Sequence, residues 1–340
     1  MPHRHLFLGI CTTLVSVMST LPTWAQGPSP KAEPIRVGMI GLDTSHCKVF
    51  TGLIQGPKAI PELKGIRIVA AYPVASPDVP SSYERMPGYV EDLKQLGVEM
   101  VGSIDELLTK VDVVMIESVD GRAHLEQVRP VIKAGKPLFV DKPLAASLAE
   151  GMEILRLAKE AGVPCFSSSM LRFSAATQEM RKNPKIGDVV GCVSYSPCTL
   201  EEHHPDLYYY GIHGVEILFT IMGPGCASVV RTHTPDTDVV TGVWRDGRVG
   251  TFCGQRKAKA DFGALVFGSK GTQMTGPRSG YDPLLLEVAK FFETRKPPVS
   301  ADETLEILAF MDAADESKRQ GGVPVTLESI RQRAKTPSRP

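Results

Sequence analysis

Neither sign of charge is in excess in this sequence: 38 lysines and arginines stand against 38 aspartates and glutamates over 340 residues. That balance removes the electrostatic grounds for expecting nucleic acid or an anionic membrane as a partner. No apolar stretch is long enough to make a stable spanning helix, so no membrane anchor is expected. The seven cysteines include no Cys-x-x-Cys pair, which removes the usual zinc and dithiol signatures. There is no internal repeat. With 42% hydrophobic and 22% charged residues, what remains is an ordinary globular composition, long enough for two domains with a sizeable core.

The first 25 residues read as a leader and not as part of the fold. Arg4 precedes an apolar run from Leu6 to Met18, and Thr23-Trp24-Ala25 supplies a small-x-small ending. Such a segment is a secretory signal, cleaved here after Ala25, and it places the protein in the periplasm or outside the cell. The residue before Cys11 is Ile10, which does not suit a lipid anchor, and no Arg-Arg pair marks the twin-arginine route. Export permits disulfides, but Cys47, Cys165, Cys192, Cys198, Cys226 and Cys253 are read as buried free thiols.

Residues 26–34 form a proline-bearing linker. Between 35 and 174, apolar runs of four to eight residues (35–40, 66–72, 111–116, 137–140 and 163–167) alternate with segments of helical spacing. This predicts a doubly wound parallel sheet covered on both faces. From 175 to 330 the pattern changes to strands separated by turns (189–195, 227–232, 238–244, 248–254 and 263–267), with helices over 206–222, 284–294 and 303–319. This predicts an α+β domain on an open, mainly antiparallel sheet. Residues 331–340 are read as a tail.

Three segments carry a family resemblance. They are Ile35-Arg36-Val37-Gly38-Met39-Ile40-Gly41-Leu42-Asp43-Thr44-Ser45-His46, the run Ala134-Gly135-Lys136-Pro137-Leu138-Phe139-Val140-Asp141-Lys142-Pro143-Leu144-Ala145, and Gly211-Ile212-His213-Gly214-Val215-Glu216. Together they resemble the Gfo/Idh/MocA family of sugar and polyol oxidoreductases, with Asp141-Lys142-Pro143 where the family has Glu-Lys-Pro. The resemblance implies a Rossmann domain followed by an open-sheet substrate domain. It also implies NAD or NADP as cofactor, a small carbohydrate as substrate, and the option of a homo-oligomer formed through the C-terminal sheet. The cofactor side would be Gly41, Asp43, Thr44, Ser45, His46, Asp120, His124, Asp141 and Lys142. In the family the matching lysine lies beside nicotinamide and substrate, and the matching histidine holds or deprotonates the substrate. These are Lys142 and His213 here.

The departures bear on the chemistry. A dinucleotide loop needs glycine where the pyrophosphate approaches and where the helix packs, yet Asp43 and His46 stand at those two positions. A carboxylate facing the pyrophosphate would repel it; alternatively Asp43 caps the following helix. The second strand ends Ala71-Tyr72-Pro73, without an acid for the ribose. The family's aspartate one turn before the histidine is Tyr209 here, and a phenol near its ordinary pKa is no base at neutral pH. Arg172, His203, His204, Tyr208 and Tyr210 complete the expected substrate side. The loop Glu201-Glu202-His203-His204-Pro205-Asp206 is rich in donor atoms but matches no metal motif and is equally a polar loop capped by Asp206, so no metal ligand is assigned.

Two functions follow. One is a nicotinamide-linked oxidoreductase acting on a sugar or polyol, with Lys142, His213 and Tyr209 at its centre. The other is a cofactor-free or metal-assisted lyase, hydrolase or sugar-binding protein that has lost dinucleotide redox.

Overall fold

A computed structural model of the chain describes residues 1–3 and 33–335. Nearly all of the expected leader and of the linker, and the last five residues, lie outside the described residues. The first sheet is parallel throughout and has six strands: β1 (Ile35–Ile40), β2 (Ile66–Tyr72), β3 (Glu99–Met100), β4 (Val113–Ile116), β5 (Leu138–Asp141) and β6 (Cys165–Ser168). Its spatial order is β3-β2-β1-β4-β5-β6, the doubly wound order with its switch point between β1 and β4. Val113–Ile116 and Leu138–Asp141 are buried at every position, which accounts for their unbroken apolar runs. Helices α1 (Ser45–Gln55), α2 (Pro80–Tyr83), α3 (Met86–Gln95), α4 (Ile104–Lys110), α5 (His124–Lys133) and α6 (Leu148–Glu160) accompany the sheet. Two of them start at a Ser-x-x-Glu sequence, where Ser103 and Ser147 accept the Glu106 and Glu150 backbone N–H groups.

The C-terminal part contributes α7 (Ala175–Gln178), β7 (Val189–Pro197), α8 (Asp206–Tyr209), α9 (Ile212–Met222), β8 (Cys226–His233), β9 (Thr237–Trp244), β10 (Val249–Gln255), β11 (Gly263–Gly268), β12 (Thr272–Met274), α10 (Asp282–Thr294), α11 (Ala301–Arg319), β13 (Val325–Thr326) and α12 (Leu327–Lys335). Its seven strands run in the order β12-β11-β7-β10-β9-β8-β13. Every pair is antiparallel except β7 with β10, which is parallel. One sheet face is covered by α9 and α11. Gly214 on α9 lies so close to Phe252 that a Cβ there would sit 2.2 Å from the ring.

The structure corrects three local expectations. Residues 206–222 are not one helix: the chain breaks after Tyr209, where Tyr210 takes φ −135, and restarts at Ile212. Asp206 does not cap the turn it begins; its carboxylate is held by Arg231 at 2.8 Å and Lys318 at 2.5 Å. In addition, α12 runs through Arg331 to Lys335, where a tail was expected. The six cysteines from Cys47 to Cys253 are free thiols, four of them buried.

Candidate active site

Parallel strands bring their carboxyl ends to one edge, and the candidate site lies there. β5 ends in Asp141 and is followed by Lys142, β4 is followed by Glu117, and the loop after β1 delivers Thr44, Ser45 and His46. Thr44 caps α1, its Oγ1 accepting the His46 N–H at 3.1 Å; the expectation that Asp43 caps this helix is corrected. From the other domain α9 carries His213 to the same place. A cleft of about 200 Å³ is lined by Thr44, Ser45, His46, Lys142, Tyr209, Tyr210 and His213, together with Arg85, Phe262, Arg278 and Tyr281. Lys142 and His213 therefore face one cleft although one follows a strand of the first domain and the other lies on a helix of the second.

The electrostatics of the two differ. Burial, reinforced by the positive charge of Lys142 and His46, holds His213 well below the ordinary histidine value, so its imidazole is neutral. Ser169 Oγ lies 2.7 Å from His213 Nδ1 and fixes the ring, leaving Nε2 for the cleft. Tyr210 and Phe262 meet the ring edge-on at 5.1 and 5.7 Å. Behind the cleft, His46 Nδ1 is 2.6 Å from Asp141 Oδ2. Burial alone would raise Asp141, but the charge and hydrogen bond of His46, with Lys142, hold it down to about 2. Glu117 is fully buried, and among the described residues neither carboxylate oxygen has a partner. Burial and the neighbouring Asp141 charge push its pKa well up.

Several expected site residues lie elsewhere, each for a packing or pairing reason. Arg172 is buried away from the cleft, bonded to Glu216 at 2.6 Å and Glu303 at 2.7 Å. Tyr208 is fully buried and donates to the Leu308 carbonyl and to Asp312. His203 pairs with Glu201 at 2.9 Å, and His204 lies between Glu201 at 2.8 Å and Asp120 at 3.0 Å. His124 is wedged between the Ser118 and Leu144 carbonyls. Gly41 takes φ +83 and packs so tightly that a Cβ would lie 2.2 Å from Ser118 Oγ, so its role is the turn itself. Sequence reasoning missed Arg85, Phe262, Arg278 and Tyr281, which reach the cleft from loops without local signature. It also missed Glu117, whose one signal is an acid closing an apolar strand.

The dinucleotide crevice of such a fold lies across the carboxyl ends of the strands at the switch point. Here the chain after β2 crosses that ground. Ser76 Oγ donates to Asp120 Oδ2, beyond β4, at 2.6 Å, and Ser82 Oγ donates to Asp43 Oδ2, beyond β1, at 2.7 Å. Asp43 also accepts the Val119 N–H. It is buried and bonded to Ser82 and Val119, so it does not stand open toward the crevice as the sequence reading expected. Burial pushes it up to about 6. Two hydrogen bonds thus tie residues 76–82 across the loops that follow β1 and β4, beside the cleft lined by Thr44, Ser45, Arg85 and Lys142.

Comparison with known proteins agrees with this architecture. Residues 35–169 match the GFO_IDH_MocA model, described as an oxidoreductase family with an NAD-binding Rossmann fold. Inositol 2-dehydrogenase 3 of Saccharopolyspora erythraea is 27% identical over 179 residues, 50% of this chain and 48% of that protein. The 1,5-anhydro-D-fructose reductase of Ensifer adhaerens is 38% identical over 82 residues, 24% of this chain and 25% of that protein. The chain thus spans half or less of the length of these relatives. A scyllo-inositol dehydrogenase from Lactobacillus casei, solved with NAD(H) and scyllo-inositol, shares the fold at TM-score 0.69 and 16% identity, over 87% of this chain and 99% of that one. The first domain is thus similar to the Gfo/Idh/MocA oxidoreductases over residues 35–169, and the whole chain shares their two-domain fold.

Proposed function

We propose that the protein is an oxidoreductase that interconverts a hydroxyl and a carbonyl on a small sugar or polyol, with NAD or NADP as hydride carrier. The observation that carries this reading is the convergence of Lys142 and His213 on one cleft in a family of NAD-binding Rossmann proteins. When bound, the nicotinamide would accept or return the hydride; the chain's own groups handle the proton and the charge. Lys142 places a cation beside the reacting oxygen and lowers the cost of negative charge there. His213, neutral and fixed by Ser169, offers Nε2 to take up or return the hydroxyl proton. Tyr209 and Tyr210 give the cleft aromatic walls and hydroxyls suited to a polyhydroxy ligand. Thr44, Ser45 and Arg85 would hold the phosphate end. The test is spectrophotometric: purified protein with NAD⁺ or NADP⁺ and a panel of inositols, hexoses and sugar acids should give reduced nicotinamide. Absence of turnover across the panel in both directions would count against the reading.

Export to the periplasm or beyond is proposed on the leader motif and is checked by N-terminal sequencing of the secreted product, which should begin at Gln26. A homo-oligomer through the C-terminal sheet is proposed on an apolar row. Phe267, Gly191, Val249 and Val243 are directly opposed across β11, β7, β10 and β9, so they share one face, and the two valines and the phenylalanine are exposed. Light scattering after size exclusion should show more than one chain per particle, and Val249→Lys should return it to one.

A further inference from the structure

We propose that His46, Glu117 and Asp141 form a site for one divalent transition-metal ion of the Mn²⁺ or Zn²⁺ class, with an open coordination position toward the cleft. The three residues come from the start of α1, the end of β4 and the end of β5, and one donor atom from each lies within 4.8 Å of the others. An ion bound at about 2.0 to 2.2 Å from its ligands spaces donor atoms roughly 3 to 4.4 Å apart, so small side-chain adjustments suffice.

The second observation is independent of that clustering. Glu117 is fully buried with both oxygens unpartnered, and Asp141 Oδ1 is likewise buried and unpartnered. Native proteins rarely leave buried carboxylate oxygens without a donor, because the desolvation is not recovered. Here three such atoms, on two neighbouring carboxylates, point to one missing positive centre. The Lys142 charge and backbone N–H favour the ionised Asp141, but they leave Asp141 Oδ1 and both Glu117 oxygens without a hydrogen-bond partner among the described residues.

The donor set fixes the class of ion. One imidazole and two carboxylates suit Mn²⁺, Fe²⁺ or Zn²⁺; the absence of a thiolate argues against Cu⁺, and the imidazole against Ca²⁺ and Mg²⁺. Three protein ligands with one side open is the pattern of catalytic, not structural, sites. The open side is the cleft, because His46 lines it. Phe50 stacks on the His46 ring at 5.1 Å and Tyr281 meets its edge at 5.0 Å, holding the imidazole in place. A substrate hydroxyl or carboxylate entering between Lys142 and His213 would then reach the ion as its fourth ligand.

The inference does not rest on the nicotinamide reading, and its test needs neither substrate nor cofactor. The full chain is treated with EDTA, dialysed and titrated with Mn²⁺, followed by loss of the free-ion paramagnetic resonance signal, and separately with Zn²⁺ by calorimetry. One ion per chain is expected, with a Kd of about 10 µM or tighter. Glu117→Gln should weaken binding at least tenfold, whereas Glu201→Gln, in the acidic loop away from the cleft, should leave it unchanged. If Glu117→Gln does not fold, His46→Gln, at the cleft wall, replaces it, and the wild-type melting temperature must still rise with added ion. No saturable binding of either ion below 1 mM, or equal binding by wild type and a folded Glu117→Gln or His46→Gln variant, would overturn the proposal.

Discussion

Ser82 ties the segment after β2 across the crevice, and replacing it by alanine tests whether that segment keeps a dinucleotide out. Its hydroxyl accepts the Ser76 N–H at 2.8 Å and donates to Asp43 Oδ2 at 2.7 Å. Alanine deletes both bonds and leaves Asp43, buried inside the protein, with the Val119 N–H as its remaining backbone donor from outside the loop. Losing one neutral bond costs about 1 kcal/mol and losing one to a carboxyl group about 1.5 to 3, so closure of the segment weakens by about 2 to 4 kcal/mol. Asp43 loses a group that holds its pKa down and rises further above about 6. If the segment must move before the adenosine end can bind, apparent affinity scales with the open fraction, and each 1.4 kcal/mol is worth tenfold. Ser82→Ala should therefore bind NAD⁺ some 30-fold or more tighter than the wild type by calorimetry, while urea unfolding shows the loss of stability. Wild-type binding should be correspondingly weak. A variant that is less stable but binds NAD⁺ no better would refute the blocking role, and submicromolar binding by the wild type would show that the segment is no obstacle.

Other outcomes follow from the same geometry. Lys142→Met and His213→Asn should each lower turnover by about 10² to 10⁴ while the circular dichroism spectrum is kept, since each group acts on the reacting oxygen or its proton; full activity in either would remove it from the site. His204 joins the second domain to Asp120 of the first: burial opposes its charge, but the hydrogen bonds of Asp120 and Glu201 outweigh it and raise its pKa. A histidine raised on folding stabilises fully below its unfolded value and loses that contribution as pH climbs through the folded one. Urea midpoints should accordingly fall as pH rises above the ordinary histidine value in the wild type and change less in His204→Gln. Arg231 is fully buried among Asp238, Asp206 and Asp315; Arg231→Met removes the ion-pair partner of Asp315, while Asp206 keeps Lys318 and Asp238 keeps Arg256, and should cost about 3 to 5 kcal/mol in urea unfolding.

What could be read from the sequence was whatever depends on near neighbours. The bounds of 35–40 and 66–72 coincide with β1 and β2 because buried parallel strands show as apolar runs closed by Gly41 and Pro73. Lys142 and His213 were legible because each sits in a short motif whose backbone context, a strand end and a helix start, fixes where the side chain goes. Arg172 and Tyr208 were misplaced because their partners are distant: Glu303 is 131 residues from Arg172, and Asp312 is 104 from Tyr208. A polar side chain near the motifs looks the same in sequence whether it meets a substrate or a buried counter-charge. Tyr209 shows the opposite case, since the helix that was to align it with His213 is broken at Tyr210, yet both reach the cleft.

Glu117 marks the limit of such reading. In sequence it is an acid after Val-Val-Met-Ile, and acids commonly close strands at a solvated edge. Its consequence appears only when β5 sets Asp141 beside it, α1 brings His46 over both, and the 76–82 segment closes the neighbouring crevice. Glu117 is fully buried and has no partner among the described residues, and a group in that position is either kept neutral by a proton or held by a cation from outside. His46 stands both in the loop where a dinucleotide fingerprint has glycine and in the donor cluster with Glu117 and Asp141, so one residue enters both questions. Metal titration and NAD⁺ titration of the same preparation would separate them.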